Sequence, residues 1–202
     1  MKKIIVYDFD KTLTYEDTLF GFFRFSSDKN IWYPFKLIIY VVCMVLTKFN
    51  LIRNESLKLA GVRIFLKKID SNMLCVRSNS YHKKIKFNKM YKQLSFDQDV
   101  DYIIVSASFE DYLRPIFPDF VRIVGSQLAF NQRNGFSLEV NCYGHEKVKA
   151  LIEQGVNYID ILYTDSYSDL PLAQIAKKIM IVDKDNIFPC KNINEFKTHF
   201  KK

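Results

Sequence analysis

Few of the 202 residues are of the kinds that build disulfide frameworks or flexible linkers. Four cysteines occur, Cys43, Cys75, Cys142 and Cys190, widely separated and without a Cys-x-x-Cys pair. No disulfide or thiolate-metal scaffold is expected from them, and each reads as a reduced thiol. Six glycines and five prolines, with no low-complexity tract, argue against disordered stretches and long linkers. No internal repeat is present. Long apolar runs are scarce too: Leu37–Thr47 is uncharged for only 11 residues, short of the roughly 20 that a bilayer-spanning helix requires. The apolar run after Met1-Lys2-Lys3 is shorter than a signal-peptide core, so a cytoplasmic, non-secreted protein is expected.

What is present is an ordinary globular balance, 49% hydrophobic and 26% charged, in a chain long enough for one full core and a smaller accessory unit. The net charge of +8 is uneven. Leu19–Phe96 holds 15 Lys and Arg against three acids, a net +12, which leaves −4 for the remainder. That break predicts two units with different tasks, a core at 1–18 and 97–202 and an insertion at 19–96.

Outside the insertion, short apolar strands alternate with helices. Strands are expected at Ile4–Tyr7, Tyr102–Val105, Val121–Val124, Asp160–Tyr163 and Ile179–Val182. A hairpin is expected around Asn134-Gly135, joining Leu128–Phe130 to Phe136–Val140. Helices are expected at Asp111–Ile116, His145–Gln154 (Leu151 and Ile152 inward) and Leu172–Lys178. This rhythm predicts an α/β, Rossmann-like three-layer core with a parallel sheet. The insertion reads as all helix, at Leu19–Phe25, Pro34–Phe49, Glu55–Lys67 and Asn72–Lys84, placed where a lid would sit.

Strand ends carry the chemistry. The first strand stops at Asp8 and Asp10, the second at Ser106, and the fourth at Asp165, with Asp169 four residues on. Lys147 opens a helix after Gly144. One Asp-x-Asp alone reads as an acidic turn. In a parallel sheet, however, all the C-terminal strand ends face one rim, so these groups can converge. Carboxylates with a serine and a lysine suit a divalent cation and a phosphoryl group.

These segments resemble the motifs of the haloacid dehalogenase superfamily. Asp8-Phe9-Asp10-Lys11-Thr12-Leu13-Thr14 is similar to its first motif, Val105-Ser106-Ala107-Ser108 to its second, Asn141–Val148 to its third and Tyr163–Pro171 to its fourth. The cap placement is similar to the phosphoserine phosphatase-like subfamily, and the third motif to phosphatidylglycerophosphatase C-like members. The resemblance implies a Mg²⁺-dependent phosphomonoesterase with Asp8 as nucleophile and Asp10 as acid and base. It further implies Mg²⁺ held by Asp8, Asp10 (through its carbonyl) and Asp165, phosphate contacts from Ser106, Lys147 and Thr12, and Asp169 orienting Lys147 or a metal-bound water. Lys11 and Thr164 stand where many relatives have glycine, and a threonine at 164 is expected to crowd the metal.

For the cap, the resemblance places Asp17 near a substrate-facing position, and Arg63 reads either as a substrate contact or as a surface salt bridge. The Leu37–Thr47 helix reads either as the cap's buried core or as a membrane-facing helix, flanked by Trp32, Tyr33 and Phe35. A greasy, basic cap points to a phospholipid head group or lipid-linked phosphate, and to peripheral contact at the inner face of a membrane. A small-metabolite phosphatase is the first rival, and a membrane-surface or interaction protein with weakened catalysis the second. The run His82–Lys86 reads as a solvated helix end, so a nucleic-acid partner is not expected.

Overall fold

The computed structural model describes residues 2–200; Met1, Lys201 and Lys202, the ends of the expected core, lie outside the described residues. The β-branched run after Lys2 forms strand β1 (Lys3–Tyr7). The insertion follows as helices α1 (Thr18–Ser26), α2 (Tyr33–Lys48), α3 (Asn54–Phe65) and α4 (Ser71–Tyr81), then the short α5 (Lys89–Gln93). The core resumes with β2 (Val100–Phe109), α6 (Glu110–Leu113), β3 (Arg122–Asn131) and β4 (Gly135–Val140). It ends with α7 (His145–Glu153), β5 (Ile159–Thr164), α8 (Leu170–Gln174), β6 (Ala176–Asp183), β7 (Asn186–Cys190) and α9 (Ile193–His199).

The seven strands form one sheet in the order β4-β3-β2-β1-β5-β6-β7. β1, β2, β3, β5 and β6 run parallel, and β4 and β7 close the two edges antiparallel. Side chains alternate along each strand, so the sheet builds two cores. Ile5, Tyr7, Tyr102 and Ile104 face one, and Val6, Ile103 and Val105 the other. On the second face α7, α8 and α9 bury Leu151, Leu172 and Phe196. The first is covered by α5, α6 and the aromatic segment Phe87–Phe96. The result is the expected three-layer α/β core with an inserted helical cap.

Several boundaries differ from the sequence pattern. The helix expected at Leu172–Lys178 ends at Gln174, because β5 offers a parallel partner from Ile159 onward and draws Ala176 and Lys178 into β6. Pairing across the sheet overrides the helical preference of Ala-Lys-Lys. Ile152 is exposed, not inward, while Leu151 is fully buried. Strand β7 and helix α9 have no counterpart in the sequence pattern: Pro189 argues against a strand, yet an edge strand accommodates it. The chain also rejoins the core before Phe96. Asn88 donates to the carbonyls of Thr12 and Lys184, and Tyr91 to that of Ile116.

The cap has an aromatic core of its own. Phe23 of α1 packs against Tyr40 of α2 and Phe65 of α3, each with ring centroids 5.6 Å away. A Cβ on Gly61 would overlap the Phe23 ring, so only glycine lets α3 approach this closely. Phe22 carries the packing down to Tyr112 of the core, 4.6 Å between centroids. Helix α2 departs from the first reading of it: of its 16 residues only Tyr40 is buried, so it is not the cap's interior helix.

Candidate active site

The Asp8 N–H donates to the Tyr163 carbonyl at 2.9 Å, extending the β1–β5 ladder by one residue and bringing Asp8 to the C-terminal rim of the sheet. The chain then turns back on itself, the Leu13 N–H reaching the Phe9 carbonyl, with Lys11 in the left-handed region at φ 60°. That conformation favours glycine, which gives the departure at Lys11 a physical meaning: the turn forms at a small backbone cost.

Lys147 sits on the first turn of α7 with its ammonium buried between two carboxylates, 2.7 Å from Asp8 Oδ1 and 2.6 Å from Asp169 Oδ1. The helix begins at Gly144, whose φ of 58° a side chain would strain. Burial works against the Lys147 charge, but Asp169 and Asp8 outweigh it and hold the amine above its ordinary range. Thr164 donates to Asp169 Oδ2 at 2.6 Å. Its hydroxyl therefore fixes Asp169 and through it Lys147; it points to a neighbouring carboxylate and does not line the cleft. The threonine that stands in place of glycine thus has a partner of its own in Asp169.

Asp10 is held by three donors. The Thr18 N–H and hydroxyl reach Oδ1 at 2.7 and 2.6 Å, and the Ser108 hydroxyl reaches Oδ2 at 2.5 Å. Burial first, then the Asp17 charge, pushes its carboxyl up to about 7, against the pull of those hydrogen bonds. Burial raises Asp8 to about 6, with Lys147 opposing. Burial and the charges of Asp8 and Asp169 raise Asp165 to about 8. A group near 7 can both give and take a proton at neutral pH.

These groups line a cleft of about 150 Å³ between core and cap, where Asp8, Asp10, Lys147 and Asp165 meet Asp17, Asn54 and Lys58. The sequence reading named most of its floor. Thr12 is buried under it, its hydroxyl 3.3 Å from Asp8 and 3.4 Å from Asp165. Ser106 is buried as well and accepts the Ser108 N–H, which leaves its own proton to donate elsewhere. Ala107 and Ser108 line the cleft where Ser106 was expected to. The ladder between β2 and β3 is irregular from Val105 to Phe109, and this break sets the direction of these side chains.

The cap expectations divide. Asp17 lines the cleft while capping α1 through the Leu19 N–H. Arg63 does not: it is exposed, and five residues along a helix turn it roughly 140° from Lys58. Lys58 takes that place. It is 1% exposed and donates to Ser126 at 2.9 Å and to Asn141 at 2.6 Å, which pins cap helix α3 to the core. Burial lowers its ammonium to about 8. Nothing in the local pattern of α3 separates Lys58 from its other cation, Arg63; only packing on β3 and β4 does.

A family profile described as haloacid dehalogenase-like hydrolase matches residues 5–174, across β1 to α8. The chain belongs to that family. No curated protein matches it. Among solved structures, this hydrolase is similar to a phosphoserine phosphohydrolase-like protein from Francisella tularensis subsp. tularensis SCHU S4, at 17% identity over 98% of this chain and 99% of that one (TM-score 0.63). It is similar to phosphoserine phosphatase from T. onnurineus, at 18% identity over 100% and 96% of the chains (TM-score 0.59). A phospho-aspartyl intermediate analogue of phosphoserine phosphatase matches at 16% identity over 89% and 86% (TM-score 0.56). At these identities the likeness is one of fold.

Proposed function

We propose that this hydrolase cleaves phosphomonoesters through a phosphoryl group carried on Asp8, with Asp10 moving the protons. The observation that carries the reading is the pair itself: Asp8 fixed by buried Lys147, beside Asp10 with a carboxyl near 7. An Asp8 oxygen attacks phosphorus, the bond to the leaving oxygen breaks, and Asp10 supplies the proton that the alkoxide needs. Asp10 then takes a proton from the water that releases phosphate. Lys147 faces the charge that accumulates on the phosphoryl oxygens. The solved phospho-aspartyl analogue on a similar fold supports this route.

The donors suit Mg²⁺, a hard cation that prefers oxygen ligands. Among the described residues no three His, Cys, Asp or Glu side chains form a metal cluster. The ligands would instead be the Asp8 and Asp165 carboxylates and the Asp10 carbonyl, completed by water. When bound, the ion adds positive charge beside the phosphoryl oxygens. Three carboxylates raised by burial, with one lysine among them, favour such a site.

This gives a stability prediction with a definite sign. Without cation the folded protein keeps protons on Asp8, Asp10 and Asp165 that the unfolded chain loses near pH 4, so stability falls as pH rises from about 4 to about 8. Mg²⁺ is expected to raise the melting temperature more at pH 8 than at pH 5, because its ligands must shed those protons. Thermal melts with and without MgCl₂ at both pH values check it, and equal shifts would count against the site.

Asp10→Asn tests the acid. Turnover of an alkyl phosphate is expected to fall by about 10²–10⁴, and that of a nitrophenyl phosphate by less, since its leaving group needs no proton. Equal losses on both substrates would remove Asp10 as the acid and leave it only the base of the phosphate-releasing step, which both substrates share.

For substrate, the basic and apolar cap favours a phospholipid head group or a lipid-linked phosphate, met at the inner face of a membrane. Asp17 and the buried Lys58, which both line the cleft, favour a second reading, a small zwitterion whose ammonium meets Asp17 and whose carboxylate meets Lys58. A substrate screen that includes phosphoserine and phosphatidylglycerophosphate separates the two.

A further inference from the structure

Helix α2 is apolar on every side, yet its outer face covers nothing. Trp32, Phe35, Ile38, Val42, Val45 and Phe49 recur at three- to four-residue spacing and are each about half exposed or more, Ile38 at 61% and Phe49 at 69%. At about 1.5 Å per residue the strip is on the order of 24 Å long. Soluble monomers rarely leave so continuous an apolar face open, and such faces mark partner or membrane contacts. Among the described residues no helix is long and apolar enough to cross a membrane.

The charges around the strip name its occupant. Between Asp28 and Glu55 there is no acid, while Lys29, Lys36, Lys48 and Arg53 lie along or beside the helix. At the start of α2, Arg24, Lys29, Lys84 and Lys86 outnumber Glu16 and Asp17 in the lining of a second cavity of about 270 Å³, whose wall includes Tyr33. Contact with a second copy of this chain would bring two such basic rims together with no carboxylate in the strip to pair with them. A bilayer of anionic phospholipid offers acyl chains to the apolar face and phosphates to the rim.

We infer that α2 lies flat in the surface of an anionic phospholipid membrane, its outer face at the acyl boundary and its lysines and Arg53 among the head groups. The turn after α2 leads straight to the cleft: exposed Leu51 stands three residues before Asn54, which lines the active site with Lys58. Docking by α2 thus sets the cleft mouth beside the head-group layer. This last link rests on the phosphomonoesterase reading, whereas docking itself does not.

Trp32 is the only tryptophan and is 65% exposed, so it reports directly. The test uses the full chain and its Asp8→Asn variant, with vesicles of phosphatidylcholine alone or mixed with phosphatidylglycerol. The Trp32 emission is expected to shift to the blue, and the protein to sediment, only with the anionic vesicles, and less so in high salt. Ile38→Glu with Val42→Glu is expected to weaken binding at least tenfold with an unchanged thermal melt, and Lys48→Gln to weaken it about fivefold. No binding, or equal binding to both vesicles, overturns the inference. So does a concentration-dependent dimer that the same glutamates dissolve while vesicles leave the protein in solution. Because binding is read on Asp8→Asn as well, failure of docking and failure of catalysis are separate results.

Discussion

Asp8→Asn is expected to abolish release of phosphate from an aryl phosphate, with a loss on the order of 10⁴ or more, while the protein stays folded. The amide has nearly the shape of the carboxylate but cannot act as the nucleophile, and loss of a nucleophile removes the whole covalent route. The fold survives because Lys147 keeps Asp169 as a partner at 2.6 Å. Asp8 also repels its neighbours: its charge is the largest cause after burial of the rise in Asp165. Removing that charge should leave the melting temperature of the cation-free protein at pH 8 unchanged or higher. Phosphate release and a thermal melt on one preparation decide the matter. Turnover within tenfold of the parent would rule out Asp8 as the group that carries the phosphoryl.

Lys147→Met is expected to give the largest loss of stability of any single change at the site. Lys147 is 2% exposed, and its ammonium sits between two buried carboxylates, Asp8 and Asp169. Removing one member of a buried charge set costs about 3–5 kcal/mol, since the charges left behind lack both water and a partner. For a chain of this length that lowers the melting temperature on the order of 10 °C. The loss depends on pH. Without Lys147 the Asp8 carboxyl loses the charge that opposes its rise and titrates higher in the folded state, which then holds a proton that the unfolded chain releases near pH 4. The deficit should therefore grow as pH rises from about 4, and be larger at pH 8 than at pH 5. Melts of parent and variant at the two pH values test it, and a deficit below about 1 kcal/mol at pH 8 would show that the triad does not bear on stability.

The floor of the cleft was legible because its residues lie where local pattern and topology agree. A β-branched run that stops at Asp8 and Asp10, and another that stops before Asp165, place these residues on one rim once the strands are parallel. The wall was not legible. Ser108 and Thr18 grip Asp10 from elements far apart in the chain, and Lys58 reaches the cleft because α3 packs on β3 and β4. Among the cationic residues of α3, Lys58 and Arg63 look alike in sequence, and only helix rotation against the core assigns one to the cleft and the other to solvent.

The sequence by itself determined the α/β order of elements as far as β6, the helical insertion and the placing of Asp8, Asp10 and Asp165 on one rim, since each follows from local periodicity and strand direction. Tertiary structure decided what Thr164 does, which cap cation enters the cleft and which face of α2 is left open. Those outcomes depend on which neighbour a side chain meets, and an apolar helix carries the same pattern whether it is covered by protein or left bare.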